Sequence, residues 1–311
     1  MTEKGINSRL QEIADCASQI HEIAKKEGVD AICFCGDMFH TQKIAVSTYD
    51  TAARVIIKMA KDFRFFAIPG NHDEASRMQE MHALRAFSKA VKLLRPGKSV
   101  ELGPHRIGGI PYYPSQKVLK KKLEKVKGEN LDVLLIHTGF AGLKAGFEYI
   151  ADFSEHLDPA LINGTAPLVF SGHFHDPQKV MGRARTAVEK AETREFDIQS
   201  AKQSLLVVPG APLQHTFSDE GSLRGCWTYD FKKSHLKFIP INGPPAFVRM
   251  GVDDLEKNQD LVKGNFVKVD IPSSIKSTKL DQVRQMLEKA KAFDFAFFDD
   301  EEEEETHERL E

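Results

Sequence analysis

The sequence has little of what secreted, membrane-spanning and disulfide-rich proteins depend on. It holds four cysteines, none in a C-x-x-C pair, and one tryptophan among 311 residues. So few cysteines exclude a disulfide framework and favour a reducing compartment. No run approaches the roughly 18 apolar residues of a membrane span, and the first residues, MTEKGINSRLQE, are too polar for a signal peptide. We therefore expect a cytoplasmic protein that does not enter a membrane.

Net charge is also small, but it is unevenly distributed. The chain carries 43 Lys+Arg and 45 Asp+Glu, a formal net charge of -2. Residues 299–311 alone hold nine acids and one base, so residues 1–298 carry 42 bases against 36 acids, or +6. The small total therefore does not exclude DNA as a partner. The acidic tail, 299–311, is predicted to be disordered and solubilising; a second hypothesis is that it imitates DNA and competes for the basic body.

Apolar periodicity predicts an α/β chain. Apolar residues at helical spacing predict a helix that begins at Asn7 or Ser8 and ends just before Gly28, and a second amphipathic helix over 47–62. Short apolar runs predict buried strands at 31–35, 64–68, 131–136 and 168–170, with a lysine-rich helix over 115–127. Helices alternating with strands are typical of layered α/β folds.

The pattern changes after residue 200. Short strands at 204–208, 226–231 and 236–241 predict a second layer of sheet. The segment Asn242-Gly-Pro-Pro245 interrupts both helix and strand, so we expect a linker there. Beyond it, a strand, a helix and a strand predict a small β-α-β unit. We thus predict one domain over 1–245 and a second over 246–298.

Residues that can bind metal follow four of the predicted strands directly. They form the segments Gly36-Asp37-Met38-Phe39-His40, Gly70-Asn71-His72-Asp73, His137 and Gly172-His173-Phe174-His175. Open α/β sheets place their sites beyond the carboxyl ends of the strands, so these segments should converge in one crevice. One carboxylate, one amide oxygen and three imidazoles suit two divalent ions such as Mn²⁺, Fe²⁺ or Zn²⁺ better than Mg²⁺ or Ca²⁺. Such a pair of ions suits phosphoester hydrolysis.

On these motifs the sequence resembles the calcineurin-like metallophosphoesterases. Their pattern D-x-H, G-D-x, G-N-H-D, H and G-H-x-H is matched from its second element onward. The variant GDMFH and the segment from Val208 to Glu220, VPGAPLQHTFSDE, resemble the SbcD-type DNA double-strand-break repair nucleases. The resemblance covers 1–245, whereas 246–311 matches only in length and in a β-α-β pattern like the capping domain. It implies a metallophosphoesterase β-sandwich flanked by helices, plus that small cap.

The resemblance also implies residue roles. Asp37 would bridge two ions, most simply Mn²⁺, with Fe²⁺ or Zn²⁺ as alternatives. Asn71, His137 and His173 would bind one ion, and His175 the other. The remaining roles are catalytic or concern substrate. His72 would be the acid or the transition-state stabiliser that faces the phosphate, Asp73 would orient His72, and His40 would lie near the DNA path. His215 and Glu220 are candidates for supporting the ligands or for a substrate loop.

One element of the family pattern is missing. The first motif, D-x-H at the end of the first strand, has no counterpart, since no aspartate is followed by a histidine two places on. The helix beginning near Asn7 normally follows that strand, so domain 1–245 is expected to lack it. Two explanations stay open: the natural start lies upstream of Met1, or the protein lacks part of one metal site. We expect the ion at Asn71, His137 and His173 to bind better than its neighbour.

The function implied by the resemblance is that of a metal-dependent DNA nuclease subunit in repair, recombination or replication, in a bacterial or phage-infected cell. It would form a homodimer and work with an SMC-like ABC ATPase of the SbcC type. Two alternatives remain: an enzyme for another phosphoester, and a non-catalytic scaffold that binds DNA or the ATPase because the first motif is absent.

Overall fold

The computed structural model describes residues 7–74, 81–146, 149–181, 184–187, 194–197 and 203–299. Of the predicted acidic tail only Asp299 is described, and 300–311 lie outside the described residues. None of the described helices is long and apolar enough to cross a bilayer. The α/β fold class predicted from periodicity is confirmed.

Five α-helices are described. Their bounds are α1 Ser8–Glu27, α2 Val46–Asp62, α3 Gln116–Val126, α4 Gln259–Val262 and α5 Ser277–Lys289. Short 3-10 turns lie at Ala83–Phe87, Lys127–Glu129, Pro159–Ile162, Phe217–Asp219 and Val252–Asp254. Helix α1 confirms its predicted ends, because Asn7 caps it by accepting a hydrogen bond from the Arg9 backbone N–H and Gly28 closes it at φ 64°.

Sixteen strands are described, and most are short. Their bounds are β1 Ala31–Phe34, β2 Arg64–Ala67, β3 Lys92–Leu93, β4 Val100–Leu102, β5 His105–Ile110, β6 Val133–His137, β7 Leu168–Gly172, β8 Gln178–Met181, β9 Ala184–Ala187, β10 Arg194–Asp197, β11 Leu205–Val208, β12 Gly225–Asp230, β13 His235–Pro240, β14 Phe247–Gly251, β15 Phe266–Ile271 and β16 Asp294–Asp299.

A seven-stranded sheet in the order β4-β5-β6-β7-β11-β8-β9 forms the centre of the fold. Strands β5, β6, β7 and β11 are mutually parallel, so their carboxyl ends lie along one edge. Two three-stranded sheets accompany it, β1-β2-β3, which is all parallel, and β10-β13-β12, which is antiparallel.

The central sheet is buried on both faces. On one face, α3 packs Leu119, Leu123 and Val126 into a hydrophobic cluster with residues such as Leu134 and Ile136. On the other face, Val133, Leu135, Leu168 and Val207 pack with side chains of β1, β2, β12 and β13. The second arrangement is a β-sandwich, as the resemblance implies. Helices α1 and α2 cover the outer face of β1 and β2 through a third cluster.

The chain divides into two compact units. The larger comprises 1–213 and 223–242, and the smaller comprises 214–222 and 243–311. In the described part of the smaller unit, the parallel sheet β14-β15-β16 packs against α5 around Val267, Val269, Val283 and Leu287. The prediction placed 214–222 in the first domain, whereas here this segment groups with the second unit.

Two features of the sheets differ from the sequence predictions. Strand β11 does not join a second layer but inserts into the central sheet between β7 and β8. Strand β5 was not predicted, because Arg106, Gly108 and Gly109 break its apolar pattern. The glycines are required by packing: a Cβ on Gly109 would meet Leu94 and Ile68, and one on Gly108 would meet Leu131.

Candidate metal centre

Four strand ends bring their polar residues together, as predicted for an open α/β sheet. Asp37 follows β1, Asn71 follows β2, His137 ends β6 and His173 follows β7. One carboxylate oxygen of Asp37 and one ring nitrogen each of His137 and His173 lie within 4.8 Å of one another. Three side chains from distant parts of the sequence thus share one small volume.

The amide of Asn71 completes this group. Its Oδ1 lies 3.0 Å from His137 Nε2 and 3.1 Å from His173 Nδ1, and His137 Nε2 lies 3.1 Å from Asp37 Oδ2. His137 is fully buried, while Asp37, Asn71 and His173 are half-buried. Four donor atoms therefore point at a common space that is shielded on one side.

A backbone carbonyl selects the ring nitrogen that His137 presents to this space. His137 Nδ1 lies 2.6 Å from the carbonyl oxygen of Cys35, which can only accept. Nδ1 therefore carries a proton, and Nε2 is the ring nitrogen that faces Asp37 and Asn71. A ring held in this way is the usual state of a histidine that binds a metal ion.

The turns after β1 and β7 adopt backbone conformations that side chains rarely take. Asp37 has φ 60° and His173 has φ 103°, both in the left-handed region. Beside each of these turns a neighbouring segment approaches so closely that only glycine fits: a Cβ on Gly36 would stand 2.8 Å from the nitrogen of Gly70 after β2, and one on Gly172 would stand 2.8 Å from Nδ1 of His137 on β6. Strain of this kind is typical of functional sites.

Asp73 holds the turn after β1 against the turn after β2. Its buried carboxylate accepts hydrogen bonds from the backbone N–H groups of Gly70 at 2.9 Å, Asp37 at 2.8 Å and Phe39 at 3.2 Å. The backbone N–H of His72 in turn donates to Asp37 Oδ1 at 2.9 Å. The Asp37 carboxylate is thus fixed by the segment that also carries Asn71.

The charges of the group suit a cation. Burial opposes ionisation of Asp37, but hydrogen bonds from His137 and from the His72 backbone hold the pKa of its carboxyl below its ordinary value. Burial and the neighbouring His137 lower the pKa of His173 to about 4, so its imidazole is neutral near pH 7. A carboxylate, an amide oxygen and neutral imidazole nitrogens are the donors that divalent transition ions prefer. The residues therefore fit the ion that the sequence motifs imply.

Two further histidines stand outside this group at the solvent side. His40 and His72 are both exposed, and their rings stack with centroids 5.5 Å apart. The described hydrogen bonds of the Asp73 carboxylate all come from backbone N–H groups, so Asp73 positions the Asp37 and Gly70 turns. Its orientation of the His72 ring stays a prediction.

The other predicted site residues lie outside the four-donor group. His175 is exposed, and its ring is not among the described donor atoms that gather within 4.8 Å. His215 and Glu220 belong to the smaller unit and make hydrogen bonds within it. The His215 backbone N–H donates to Asp219 at 2.7 Å, and Glu220 accepts from the Arg249 backbone N–H at 2.6 Å.

Sequence reasoning missed two side chains near the donor group. The ring of Tyr112 lies 6.3 Å from that of His137 and 6.5 Å from that of His173, centroid to centroid. Glu74 is buried, and burial followed by the charge of Asp73 raises the pKa of its carboxyl to about 7. Tyr112 directly follows β5 and Pro111, so a correct prediction of β5 would have placed it at the same sheet edge.

Comparisons with known proteins place the sequence among its relatives. The model of the calcineurin-like phosphoesterase family matches residues 7–177, more than half of the chain. A curated relative is the "DNA double-strand break repair protein Mre11" of Sulfurisphaera tokodaii, 29% identical over 181 residues, 55% of this chain and 44% of that protein. The protein of the same name from Saccharolobus solfataricus is 30% identical over 138 residues, 42% of this chain and 36% of that protein.

These matches span less than half the length of either relative. A solved metallophosphoesterase from Sphaerobacter thermophilus aligns with 79% of this chain and 89% of its own, at a TM-score of 0.35 and 10% identity, a likeness too distant to inform the site. The family match includes all four donors and ends just beyond His175. By this match, the chain belongs to the calcineurin-like phosphoesterase family.

Proposed function

We propose that this protein is a metal-dependent nuclease that hydrolyses phosphodiester bonds of DNA. The observation that carries the proposal is the convergence of Asp37, Asn71, His137 and His173 at one sheet edge. The names of the curated relatives, which are DNA double-strand break repair proteins, support DNA as the substrate. The +6 charge balance of residues 1–298 suits a polyanion as well.

In this proposal the four donors would hold one divalent ion, and Asp37 and His175 would contribute to holding a second. Mn²⁺ is the ion we propose, with Fe²⁺ and Zn²⁺ as alternatives for the same donors. The chemistry that such ions supply when bound is neutralisation of phosphate charge and activation of water. The chain keeps His137 in the right tautomer through Cys35 and keeps the Asp37 turn in place through Asp73.

The proposed acid is His72. It is exposed, its backbone is tied to Asp37, and its ring stacks on His40. An imidazole at this exposed position can hold a proton near a leaving oxygen of bound DNA. His40 limits the orientations of the His72 ring by stacking, and it lies on the solvent side where a DNA strand would approach.

The test compares two substrates on the purified chain with Mn²⁺, a linear DNA duplex and bis-p-nitrophenyl phosphate. We expect cleavage of both, with His72→Ala slowing DNA cleavage about 10²- to 10⁴-fold through loss of the acid. The matched control is His105→Ala, because His105 stacks on Phe231 and lies outside the donor group; it should keep full activity. Metal analysis of the same samples should give two ions per chain.

Two outcomes would contradict the proposal. Cleavage of the small ester without attack on DNA would indicate another phosphoester substrate. One bound ion and no turnover on either substrate would indicate a non-catalytic scaffold, which the missing first motif makes the rival hypothesis.

We also propose a homodimer that works with an SMC-like ABC ATPase of the SbcC type. The resemblance of the segment Val208 to Glu220 to the SbcD-type nucleases supports this partnership. Light scattering of the chain, and its capture on the immobilised ATPase, test the two parts. A monomer that the ATPase does not retain would contradict both.

A further inference from the structure

Helix α3 carries a row of lysines on its solvent side. Lys117, Lys121 and Lys125 are four residues apart, so they lie one above another on the same side of the helix. All three are exposed, whereas Leu119 and Leu123 of the same helix are buried against the central sheet. At 1.5 Å per residue the lysine row is about 12 Å long.

The turn before β4 adds two more bases beside the end of the lysine row. A Cβ on Gly97 would stand 2.8 Å from Lys125 Nζ, so this turn lies against the last turn of α3. Its Arg95 and Lys98 are both exposed, and they pair with each other in an antiparallel bridge. We call the two segments, residues 95–98 and 116–129, the basic surface.

The basic surface holds all the excess positive charge of residues 1–298. Its 18 residues include eight bases and two acids, or +6. Residues 1–298 as a whole have 42 bases and 36 acids, so 34 of each remain outside the basic surface. A cluster of one sign, rather than scattered charge, is what a polyanion recognises. The body of the chain is therefore basic because of these two segments.

The two acids of the basic surface are engaged away from the lysine row. Glu124 pairs with Lys127 at 2.7 Å, and Glu129 accepts a hydrogen bond from the Gly97 backbone N–H at 2.7 Å. In the part of the chain that the structure describes, no acidic side chain lies within ion-pair distance of the lysine row. Like charges four residues apart repel and destabilise a helix. A bound array of negative charges would relieve this repulsion.

The lysine row begins near the sheet edge that carries the four donors. Tyr112, whose ring lies 6.3 Å from that of His137, comes five residues before Lys117. At no more than about 3.6 Å per residue, the Cα atoms of Tyr112 and Lys117 are at most about 18 Å apart. Because β5 and β6 are parallel, α3 runs back across the sheet and leads the row away from this edge.

We propose that the basic surface binds the phosphate backbone of duplex DNA and directs it toward the metal centre. The choice of DNA rests on the proposed function, whereas the position of the surface does not. Each strand of B-DNA has a phosphate about every 3.4 Å along the axis, so the lysine row faces about three of them. Lysine binds phosphates as a point charge and without reading the base sequence, so we expect binding to be independent of sequence.

An anionic membrane fits the basic surface less well than DNA does. A helix that lies in a bilayer surface buries its apolar face among the lipids. The apolar face of α3 is already used, since Leu119, Leu123 and Val126 pack on the central sheet. The acidic run over 299–311 is a second polyanion that this chain offers, and it enters the test as a competitor.

The test measures DNA affinity of the full chain as a function of salt. Fluorescence anisotropy of a labelled linear duplex gives Kd between about 50 and 200 mM NaCl, with a chelator present to prevent cleavage. The variant is Lys117→Gln/Lys121→Gln/Lys125→Gln, because glutamine keeps the helix propensity of lysine. We expect at least about tenfold weaker binding at low salt. The slope of log affinity against log salt should shrink by about 0.9 for each lost contact, or about 2.7 in all.

The matched control, Lys26→Gln/Lys232→Gln/Lys233→Gln, removes the same charge from the same unit. These lysines are exposed, and they belong to α1 and to the turn between β12 and β13, on the other side of the central sheet. Its slope should change by less than about 0.5, because no phosphate contact is lost. Circular dichroism checks that both variants fold.

Three results would overturn the proposal. They are an unchanged slope in the α3 variant, an equal loss of slope in the control, and displacement of the duplex by an equal concentration of a peptide of residues 299–311, which would make the acidic run the occupant. The nuclease proposal fails separately. DNA that binds through the lysine row but is not cut with Mn²⁺ would contradict nuclease activity and leave the basic surface standing.

Discussion

Two groups that are not proposed as ligands hold the donor side chains of the metal centre in place. One is a backbone carbonyl oxygen, and the other is a buried carboxylate. Cys35 supplies the carbonyl that fixes the tautomer of His137. Asp73 supplies the carboxylate that accepts three backbone N–H groups. The identities of the donors could be predicted from sequence because each follows an apolar strand directly. The function of Asp73 could not, because it depends on backbone groups that are 34 and 36 residues away in the chain.

At this scale we predict that Asp73→Ala destabilises the fold and weakens metal binding together. The change leaves three backbone donors without their acceptor, and a buried unsatisfied donor costs roughly 1–3 kcal/mol, so a total loss of about 3 kcal/mol is expected. Urea unfolding measures the loss, and a Mn²⁺ titration measures the affinity. The control, Asp50→Ala, removes only an exposed pair with Arg54 and should cost less than about 1 kcal/mol.

Unfolding of Asp73→Ala at the same urea concentration as the unaltered protein would contradict the account. So would a normal Mn²⁺ affinity in a variant that is clearly destabilised, because it would show that the Asp37 turn keeps its place without Asp73.

Among the secondary-structure elements, local sequence signals predict where a helix begins and ends, but they do not predict which strands pair. The ends of α1 follow from Asn7 and Gly28, because a cap and a left-handed terminus are local requirements. The insertion of β11 between β7 and β8 is a pairing between distant segments, and no local pattern in Leu205–Val208 encodes it. Strand β5 was missed for the opposite reason, since its glycines are chosen for packing against Leu94 and Leu131 rather than for strand propensity.

Two glycines with positive φ allow the cost of a left-handed turn to be measured apart from the cost of a steric clash in the metal centre. Gly28 at φ 64° has no atom within 4 Å of an added Cβ, whereas Gly36 at φ 95° has Gly70 at 2.8 Å. We predict that Gly28→Ala costs about 1 kcal/mol from the left-handed conformation alone and leaves Mn²⁺ affinity unchanged. Gly36→Ala should displace Asp37 from Asn71 and weaken Mn²⁺ binding at least about tenfold, since small misplacements of ligating groups are costly.

Calorimetric titration with Mn²⁺ and urea unfolding of both variants check this pair. Equal Mn²⁺ affinities of Gly28→Ala and Gly36→Ala would mean that the close approach of the β1 and β2 turns does not determine the geometry of the centre.

In the whole molecule, the net charge of -2 combines a basic body with an acidic C-terminal run. The two compact units are unlike as well, since each has its own hydrophobic core and only the larger contains the four donors. A ligand that binds only the folded state stabilises the part it contacts, by about 2.7 kcal/mol at a concentration of 100 Kd. The larger unit should therefore gain stability from a divalent ion that the smaller unit does not share.

We predict that Mn²⁺ raises the melting temperature of the larger unit and that a chelator reverses the rise. Trp227 reports on this unit by fluorescence, and hydrogen exchange of the Phe266–Ile271 strand reports on the smaller one. His173→Ala should abolish the rise because a donor is lost, whereas His72→Ala should keep it, since His72 is proposed as the acid and not as a ligand. An equal gain in exchange protection of Phe266–Ile271 would contradict independent units, and loss of the rise in His72→Ala would make His72 a ligand.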